Sequence, residues 1–201
     1  MKFLTKSHRF GETIAEEPGF HHDWKELLGV IESISDADIV SEHSANTPKR
    51  KSISMAINNL LKSRLVEKGW DSESAIFNDA NYLQTRWRLD FSKNNISVEV
   101  AFNHGEAIAW NLIKPVLASE LNHVKKEAQT RLGVVIMATE EMKRLGGFDG
   151  AVGTFEKAVR YLKPLQNQLS CPMVLIGLNA PETFVVEHEG RPKRAVFVDR
   201  N

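Results

Sequence analysis

Two carboxylates, Asp90 and Glu99, are the residues whose types and spacing best suit chemistry in this chain. Residues 93–95 (Lys-Asn-Asn) form a turn signal between them, and the alternation of apolar and polar residues over 96–103 predicts a strand that carries Glu99. A hairpin folded at this turn brings the two carboxylates close together. Carboxylate oxygens bind Mg²⁺, which stabilises phosphoryl transition states and activates water. The alternative is that Asp90 caps a turn and Glu99 lies on the solvent face of its strand.

The elements that must position these carboxylates follow from hydrophobic spacing. One apolar face at helical period predicts helices over residues 22–35, 52–68, 106–124 and 154–168, with Pro115 kinking or restarting the third. Continuous apolar runs at residues 134–137 and 173–176 predict strands buried on both faces, and a short last strand is expected at 195–198. The order predicts an α/β fold with a mixed central sheet flanked by helices. We expect one domain over residues 1–201, with a helical part at 1–70 and a core at 85–180.

Charge and composition limit the function classes without choosing one. The formal net charge is zero, but residues 1–40 carry −4, whereas residues 41–95 carry +3 and residues 141–201 carry +2. The neutral total excludes a non-specific polybasic binder, whereas the separation of charge leaves DNA open as a ligand. The densest cationic cluster is Lys49-Arg50-Lys51, which is either a solvated loop or a phosphate contact.

Other global features predict an ordinary cytoplasmic protein. No apolar run approaches the roughly 20 residues of a membrane span. The first ten residues lack the apolar core of a signal peptide. Cys171 is the single cysteine, so it has no disulfide partner within the chain, and we expect it to be a buried structural thiol.

The carboxylate hairpin resembles the active-site hairpin of the BglII/BstYI type II restriction endonucleases. Its two halves read RLDFSK at residues 88–93 and ISVEVAFNH at residues 96–104. In that family an Asp is followed nine positions later by Glu, then an apolar residue, then Gln, then Phe. Three further segments resemble the family in the same order, namely the helix around residues 24–34, the helix and Gly-Trp pair at residues 56–70, and the apolar strand at residues 172–177.

The resemblance implies a metal-dependent nuclease with the restriction-endonuclease fold. Asp90 would be the principal Mg²⁺ ligand, joined by Glu99 and the carbonyl of Val100, and Mn²⁺ is expected to substitute. Asn58 matches a helical Asn that the family places near the active site; its alternative is an ordinary exposed helix residue. The implied partners are double-stranded DNA, a second copy of the chain in a homodimer, and a DNA methyltransferase that protects the host.

Ala101 departs from the family, which has Gln at this position, and from the wider PD-(D/E)xK superfamily, which has Lys there. Alanine cannot form a hydrogen bond through its side chain. Asn103, one strand period further along, or Lys93 could replace it, or water could bridge. Ala101 therefore leaves open a second function, a DNA-binding protein of nuclease fold with impaired catalysis. A third possibility is an α/β domain unrelated to nucleases.

Base recognition is expected from two segments. His104 follows the catalytic strand where the family carries a base-contacting residue at the head of a helix; Asn103 precedes it, and the alternative for His104 is a surface cap. The loop at residues 146–153 resembles the family segment that approaches the recognition site, or is a plain flexible loop. Within it Asp149 could accept from a cytosine amino group, and Gly150 allows close backbone approach to phosphate.

Two further patterns keep two interpretations each. His21-His22-Asp23 superficially resembles a metal cluster, but its position at a helix start favours capping. The 106–124 segment is more apolar than one buried face requires, which suits either a homodimer interface or a central core helix.

Overall fold

The computed structural model describes residues 1–79, 87–120, 128–191 and 193–200. Within these ranges the chain forms eight strands and seven α-helices. The strands are β1 (Phe3–His8), β2 (Asp71–Ala75), β3 (Arg88–Lys93), β4 (Ile96–Val100), β5 (Leu132–Ala138), β6 (Met173–Leu178), β7 (Phe184–Glu189) and β8 (Arg194–Asp199). The α-helices are α1 (Gly11–Ala15), α2 (His21–Ser33), α3 (Asp36–Asn46), α4 (Ser54–Glu67), α5 (Ile108–Ser119), α6 (Glu140–Leu145) and α7 (Phe155–Leu162).

Six strands form one mixed sheet in the order β1-β6-β5-β4-β3-β2. Its centre, β4-β5-β6, is parallel, and the remaining strands pair antiparallel. Every residue of β5 and β6 is buried, as the continuous apolar runs predicted, because helices cover both faces. The predicted mixed sheet flanked by helices is confirmed. Strands β7 and β8 form a separate two-stranded sheet, and β8 includes the predicted strand at residues 195–198.

The two faces of the sheet have different cores. On one face, α2 and α4 pack through residues such as Leu27, Ile57 and Leu61 against Val98 and Val134. On the other face, α5 and α7 pack against β5 and β6 through a second cluster, which contains Ala101, Ile108, Leu112, Val135 and Leu175. The alternation along β4 therefore sends Val98 toward α2 and α4, and Glu99 and Ala101 toward α5.

The segment predicted as one helix over 106–124 is shorter than expected. It begins with a 3-10 turn at Gly105–Ala107, and α5 then runs from Ile108 to Ser119. Residues 121–124 of the prediction lie outside the described residues. Pro115 was expected to kink or restart this helix; α5 continues through it, so the proline does not restart the helix. The proline packs tightly over Gly133 of β5, where an added Cβ would lie 2.5 Å from the Pro115 Cβ.

The helix predicted over 154–168 ends at Leu162 and is followed by turns. Pro164 accounts for the early end, because a proline has no N–H to donate to the carbonyl four residues earlier. The N-terminal part is not purely helical either, since β1 joins the edge of the main sheet. Helix α3 was not predicted, although Ser35 and Asp38 form a capping box at its start.

The fold also bears on the His21-His22-Asp23 pattern and on Cys171. Helix α2 begins at His21, as the helix-start interpretation required, and no group of three or more metal-ligating side chains occurs among the described residues. Asp23 does not cap the helix; it is buried and accepts a hydrogen bond from Asn94 in the β3–β4 turn. Cys171 is buried, and burial raises the pKa of its thiol. None of the described helices has the length and hydropathy of a membrane span.

The close approach at Gly133 predicts a stability effect. Gly133→Ala should lower the free energy of unfolding by about 1–3 kcal/mol, because the new methyl group overlaps Pro115 and the Met173 side chain. Gly29→Ala, on the exposed face of α2 with nothing within 4 Å of the new methyl, is the matched control and should be neutral or stabilising by up to about 1 kcal/mol. Denaturant unfolding measures both. Equal stability of the Gly133 variant and wild type would contradict the packing described.

Candidate active site

The β3–β4 hairpin positions Asp90 and Glu99 next to each other. The strands turn at Asn94, which has a φ of 47°, and the antiparallel pairing runs as far as Phe91 and Val98. Asp90 and Glu99 are the next residues on each strand. The Asp90 carboxylate accepts a hydrogen bond of 2.6 Å from the Val100 amide, so a side chain satisfies the backbone at the point where the regular pairing ends.

Glu99 is buried in this site, with 2% of its surface exposed, which excludes the solvent-facing alternative. Burial raises the pKa of Asp90. Burial and the neighbouring Asp90 charge raise the pKa of Glu99 to about 8, although Lys114 opposes the shift. Two carboxyl groups so placed cannot both ionise easily without a cation. A divalent cation bound by both carboxylates would offset the repulsion between their negative charges.

Lys114 of α5 is a site residue that the sequence analysis missed. Its Nζ donates to Glu99 Oε2 over 2.6 Å, and the two side chains are 12% and 2% exposed. Its positive charge also lowers the pKa of Asp90. No spacing in the sequence links residue 114 to residue 99, because the contact depends on how α5 lies across the sheet.

Two buried oxygens in the region lack a hydrogen-bond partner among the described residues, Oε1 of Glu99 and Oδ1 of Asn58. Buried polar atoms without partners are uncommon, and they mark places where a water or an ion completes the structure. Glu99 Oε1, the Asp90 carboxylate and the Val100 carbonyl are hard oxygen donors on one hairpin. Their chemistry fits Mg²⁺.

Helix α4 carries Asn58 and, one turn later, Lys62. Residues four apart share a helix face, so Asn58 and Lys62 lie on one face of α4, and the Lys62 charge lowers the pKa of Asp90. Asn58 is half-buried, in contrast to the exposed position of the alternative interpretation. In the described structure, Asn58 forms no hydrogen bond to either carboxylate.

Glu73 is a second residue that the sequence analysis missed. Ser72 pairs with Phe91 and Ser74 with Leu89, which places Glu73 opposite Asp90 on the neighbouring strand. Glu73 is exposed, has a φ of 54°, and its charge raises the pKa of Asp90. A non-glycine residue at positive φ is uncommon and points to local strain. The site is therefore bordered by a third carboxylate.

The two groups expected to replace the missing side chain at position 101 are engaged elsewhere. Lys93 Nζ bonds to Glu26 and to the Lys68 carbonyl, on the side of the hairpin near Trp70. The side-chain amides of Asn103 and Asn111 pair with each other through two hydrogen bonds. Neither Lys93 nor Asn103 contacts Glu99, whereas Lys114 does.

The segments expected to read bases lie together in the structure. Exposed His104 forms an isolated bridge with Val152, and the carbonyl of Asn103 accepts from the Gly153 amide. The Gly146–Gly153 loop is therefore joined to the end of the catalytic strand. Asp149 is occupied locally, because it binds Lys51 over 2.8 Å and accepts from the Ala151 amide; these hydrogen bonds lower the pKa of Asp149 to about 2. Gly150 is exposed beside it, with nothing near an added Cβ.

The cationic cluster Lys49-Arg50-Lys51 is exposed and anchored from behind. The Arg50 carbonyl accepts from the Ala195 amide of β8 and pairs with the buried His43 ring. The Lys51 carbonyl pairs with the His188 ring of β7. The bond at Ala195 also brings a second exposed cationic segment close to the cluster. This segment comprises Arg191 and Lys193 in the β7–β8 turn and Arg194 at the start of β8.

Within the described part of the 106–124 segment, the apolar residues of α5 lie largely in the core. Six residues of α5 are buried, and Trp110 packs edge-on against Trp87, with the ring centroids 5.3 Å apart. The core-helix interpretation therefore accounts for the composition of this segment without an interface.

Comparison with known proteins gives a family and a fold. A family model described as restriction endonuclease BglII/BglIII matches residues 3–178. The chain is similar to a crystal structure of restriction endonuclease BglII complexed with a DNA 16-mer, at 18% identity and a TM-score of 0.69, with all of both chains covered. It is also similar to free BglII, at 18% identity and a TM-score of 0.58 over all of both chains. No curated protein matches the chain.

The raised pKa values predict how stability depends on pH. Because the folded metal-free protein keeps a proton on Glu99 up to about pH 8, while the unfolded chain loses it near the ordinary glutamate pKa of 4.5, stability should fall as the pH rises through this window. We expect a loss of roughly 1–4 kcal/mol between pH 5 and 8. Glu99→Gln, which still accepts from Lys114 but cannot ionise, should remove most of this dependence. Thermal unfolding in a chelating buffer tests this; wild-type stability that rises over the window would contradict it.

Proposed function

The chain belongs to the restriction endonuclease BglII/BglIII family, and we propose that it is a type II restriction endonuclease that hydrolyses phosphodiester bonds of duplex DNA at a short palindromic site. The observation that carries this proposal is the pairing of half-buried Asp90 with buried Glu99, placed side by side where the β3–β4 pairing ends, with the Lys114 ammonium in contact with Glu99. A family relationship alone does not establish activity, because proteins of one fold can differ in their chemistry. The proposal therefore depends on the site.

Mg²⁺ is the proposed cofactor, with Asp90, Glu99 and the Val100 carbonyl as its ligands and Mn²⁺ as a substitute. When bound, the ion would supply Lewis-acid stabilisation of the phosphate and a more acidic water. The residues themselves bind and orient. The Val100 amide donates to one Asp90 oxygen, and the Lys114 ammonium donates to one Glu99 oxygen. The second oxygen of Glu99 has no hydrogen-bond partner among the described residues.

Asn58 is proposed to contribute on the substrate side of the site. Its half-buried side chain has an oxygen without a partner among the described residues, and an amide can accept from a water and donate to a phosphate oxygen. Glu73, opposite Asp90, adds negative charge at the exposed border of the cleft. Both residues would orient water or metal rather than form a bond to phosphorus.

Duplex DNA is the proposed substrate, and the similar BglII structure with a DNA 16-mer supports this choice. Phosphate contacts are proposed for Lys49, Arg50 and Lys51 and for the cationic β7–β8 turn that hydrogen bonding brings beside them. Base contacts are proposed for Asn103 and His104, next to the loop with Asp149 and Gly150. Asp149 would have to exchange Lys51 for a base or would hold Lys51 in position for a phosphate.

Cleavage of a palindrome on both strands needs two active sites related by a two-fold axis, so we propose that the chain acts as a homodimer. Because the apolar residues of α5 lie mainly in the core, no helix or strand is proposed as the dimer surface. A DNA methyltransferase that modifies the same site is the expected functional partner, since an unprotected genome would be cut.

A DNA-binding protein with impaired catalysis is the second candidate, and Ala101 is the observation that favours it. The buried Lys114 favours an active enzyme, because it brings a cation to the carboxylates from a different element. Cleavage in the presence of metal separates these two functions.

Cleavage of a sequenced genome with Mg²⁺ or Mn²⁺, followed by sequencing of the ends, tests the proposal. We expect fragments that end within one short palindrome. Asp90→Asn should lower the cleavage rate by at least about 100-fold, since it weakens the metal site, while duplex affinity stays near that of wild type. Salt-dependent binding without any cut would support the impaired binder, and the absence of both would contradict either function.

A further inference from the structure

Position 101 cannot supply the hydrogen-bonding group that usually follows the acidic residue on this strand. Ala101 lies two residues after Glu99 and on the same face of β4, and it is 1% exposed. Its methyl group packs with Ile108 and Leu112 in the core under α5. The strand therefore ends its contribution to the site at Glu99 and Val100, and another element must bring any further polar group.

Helix α5 brings such a group to the same face of the sheet. Lys114 is followed by Pro115, which packs against Gly133 of β5, and this tight contact fixes the height of the helix over the sheet. From there the ammonium reaches Glu99 Oε2 at 2.6 Å. Its positive charge also lowers the pKa of the neighbouring Asp90 carboxyl.

Burying the Lys114 ammonium costs free energy unless hydrogen bonds and a negative partner offset the loss of water. A lysine side chain that is largely excluded from water needs compensating hydrogen bonds, and its ammonium carries three donors. Among the described residues it makes one hydrogen bond, to Glu99. Donors remain for groups that enter the site from solvent.

We propose that Lys114 is a catalytic residue of this chain, whose ammonium, held by Glu99, donates to the attacking water and to an oxygen of the scissile phosphate in place of the side chain that Ala101 lacks. The inference rests on the proposed function and deepens it. In the hydrolysis, the water oxygen forms a bond to phosphorus as a phosphorus–oxygen ester bond breaks. The water loses a proton to solvent, and the leaving oxygen takes one up. Lys114 stays protonated and stabilises the added negative charge.

Three variants test this role against a purely structural ion pair. Lys114→Met removes the ammonium and keeps an apolar stem of similar length. Lys114→Arg keeps a cation that can still pair with Glu99, but its planar guanidinium places its donors differently. Ala101→Lys combined with Lys114→Met moves the ammonium from the helix to the strand, on the same face as Glu99.

Single-turnover cleavage of a duplex with saturating Mg²⁺ is measured for each variant, with the thermal midpoint and the metal-free duplex affinity as separate readouts. We expect Lys114→Met to slow cleavage by about 10²–10³-fold, as for other single donors to a transition-state charge, with duplex affinity within about threefold of wild type. Lys114→Arg should fold like wild type and cleave at least tenfold more slowly. The double variant should regain at least tenfold over Lys114→Met.

Each opposite result overturns the proposal. A folded Lys114→Met protein that cleaves at the wild-type rate shows that the ion pair is structural. If Lys114→Met does not fold, Lys114→Arg decides, and a wild-type rate for that variant overturns the role. The role is also overturned if the double variant folds but cleaves DNA no faster than Lys114→Met. Failure of the wild-type chain to cut DNA would instead remove the proposed function, and this inference with it.

Discussion

Buried Glu99 is held beside half-buried Asp90, and the two negative charges destabilise each other. Burial raises the pKa of both groups, and the Asp90 charge raises that of Glu99 further. The rest of the site offsets this repulsion. The Val100 amide binds Asp90, Lys114 binds Glu99, and one Glu99 oxygen remains without a partner in the described structure. Such a constellation costs stability in the absence of a cation, and sites that do so are characteristic of function.

The pairing of the strands places the two carboxylates next to each other. Backbone pairing between β3 and β4 runs to Phe91 and Val98, and the carboxylates follow immediately. On the other side of β4, parallel pairing with β5 continues through Val100, so Glu99 is fixed by the most buried part of the fold. Helix α5 then covers Glu99 from above, because Gly133 admits Pro115 so closely. Rigid strands and one helix, rather than loops, thus set the positions of the charged groups.

Local features of the sequence predicted the hairpin well and the helix-borne group not at all. The alternation after residue 96 and the Asn-Asn turn are short-range signals, so Asp90 and Glu99 could be placed together without a structure. Lys114 could not, because its contact with Glu99 depends on the tertiary position of α5. Strand β1 was missed because it lies at the edge of the sheet with half of its residues exposed, and it lacks a clear apolar alternation. Glu73 was missed because β2 is short and polar.

Calorimetric titration of the metal-free protein with Mn²⁺ near pH 7, repeated in buffers of different ionisation enthalpy, tests the central claim that the carboxylate pair is a metal site kept partly protonated by its burial. The ion must displace the proton that burial holds on Glu99. We expect binding by wild type with release of about one proton per chain, and much weaker binding by Glu99→Gln without that release. Wild-type protein that binds no metal, or binds it without releasing a proton, would contradict the account.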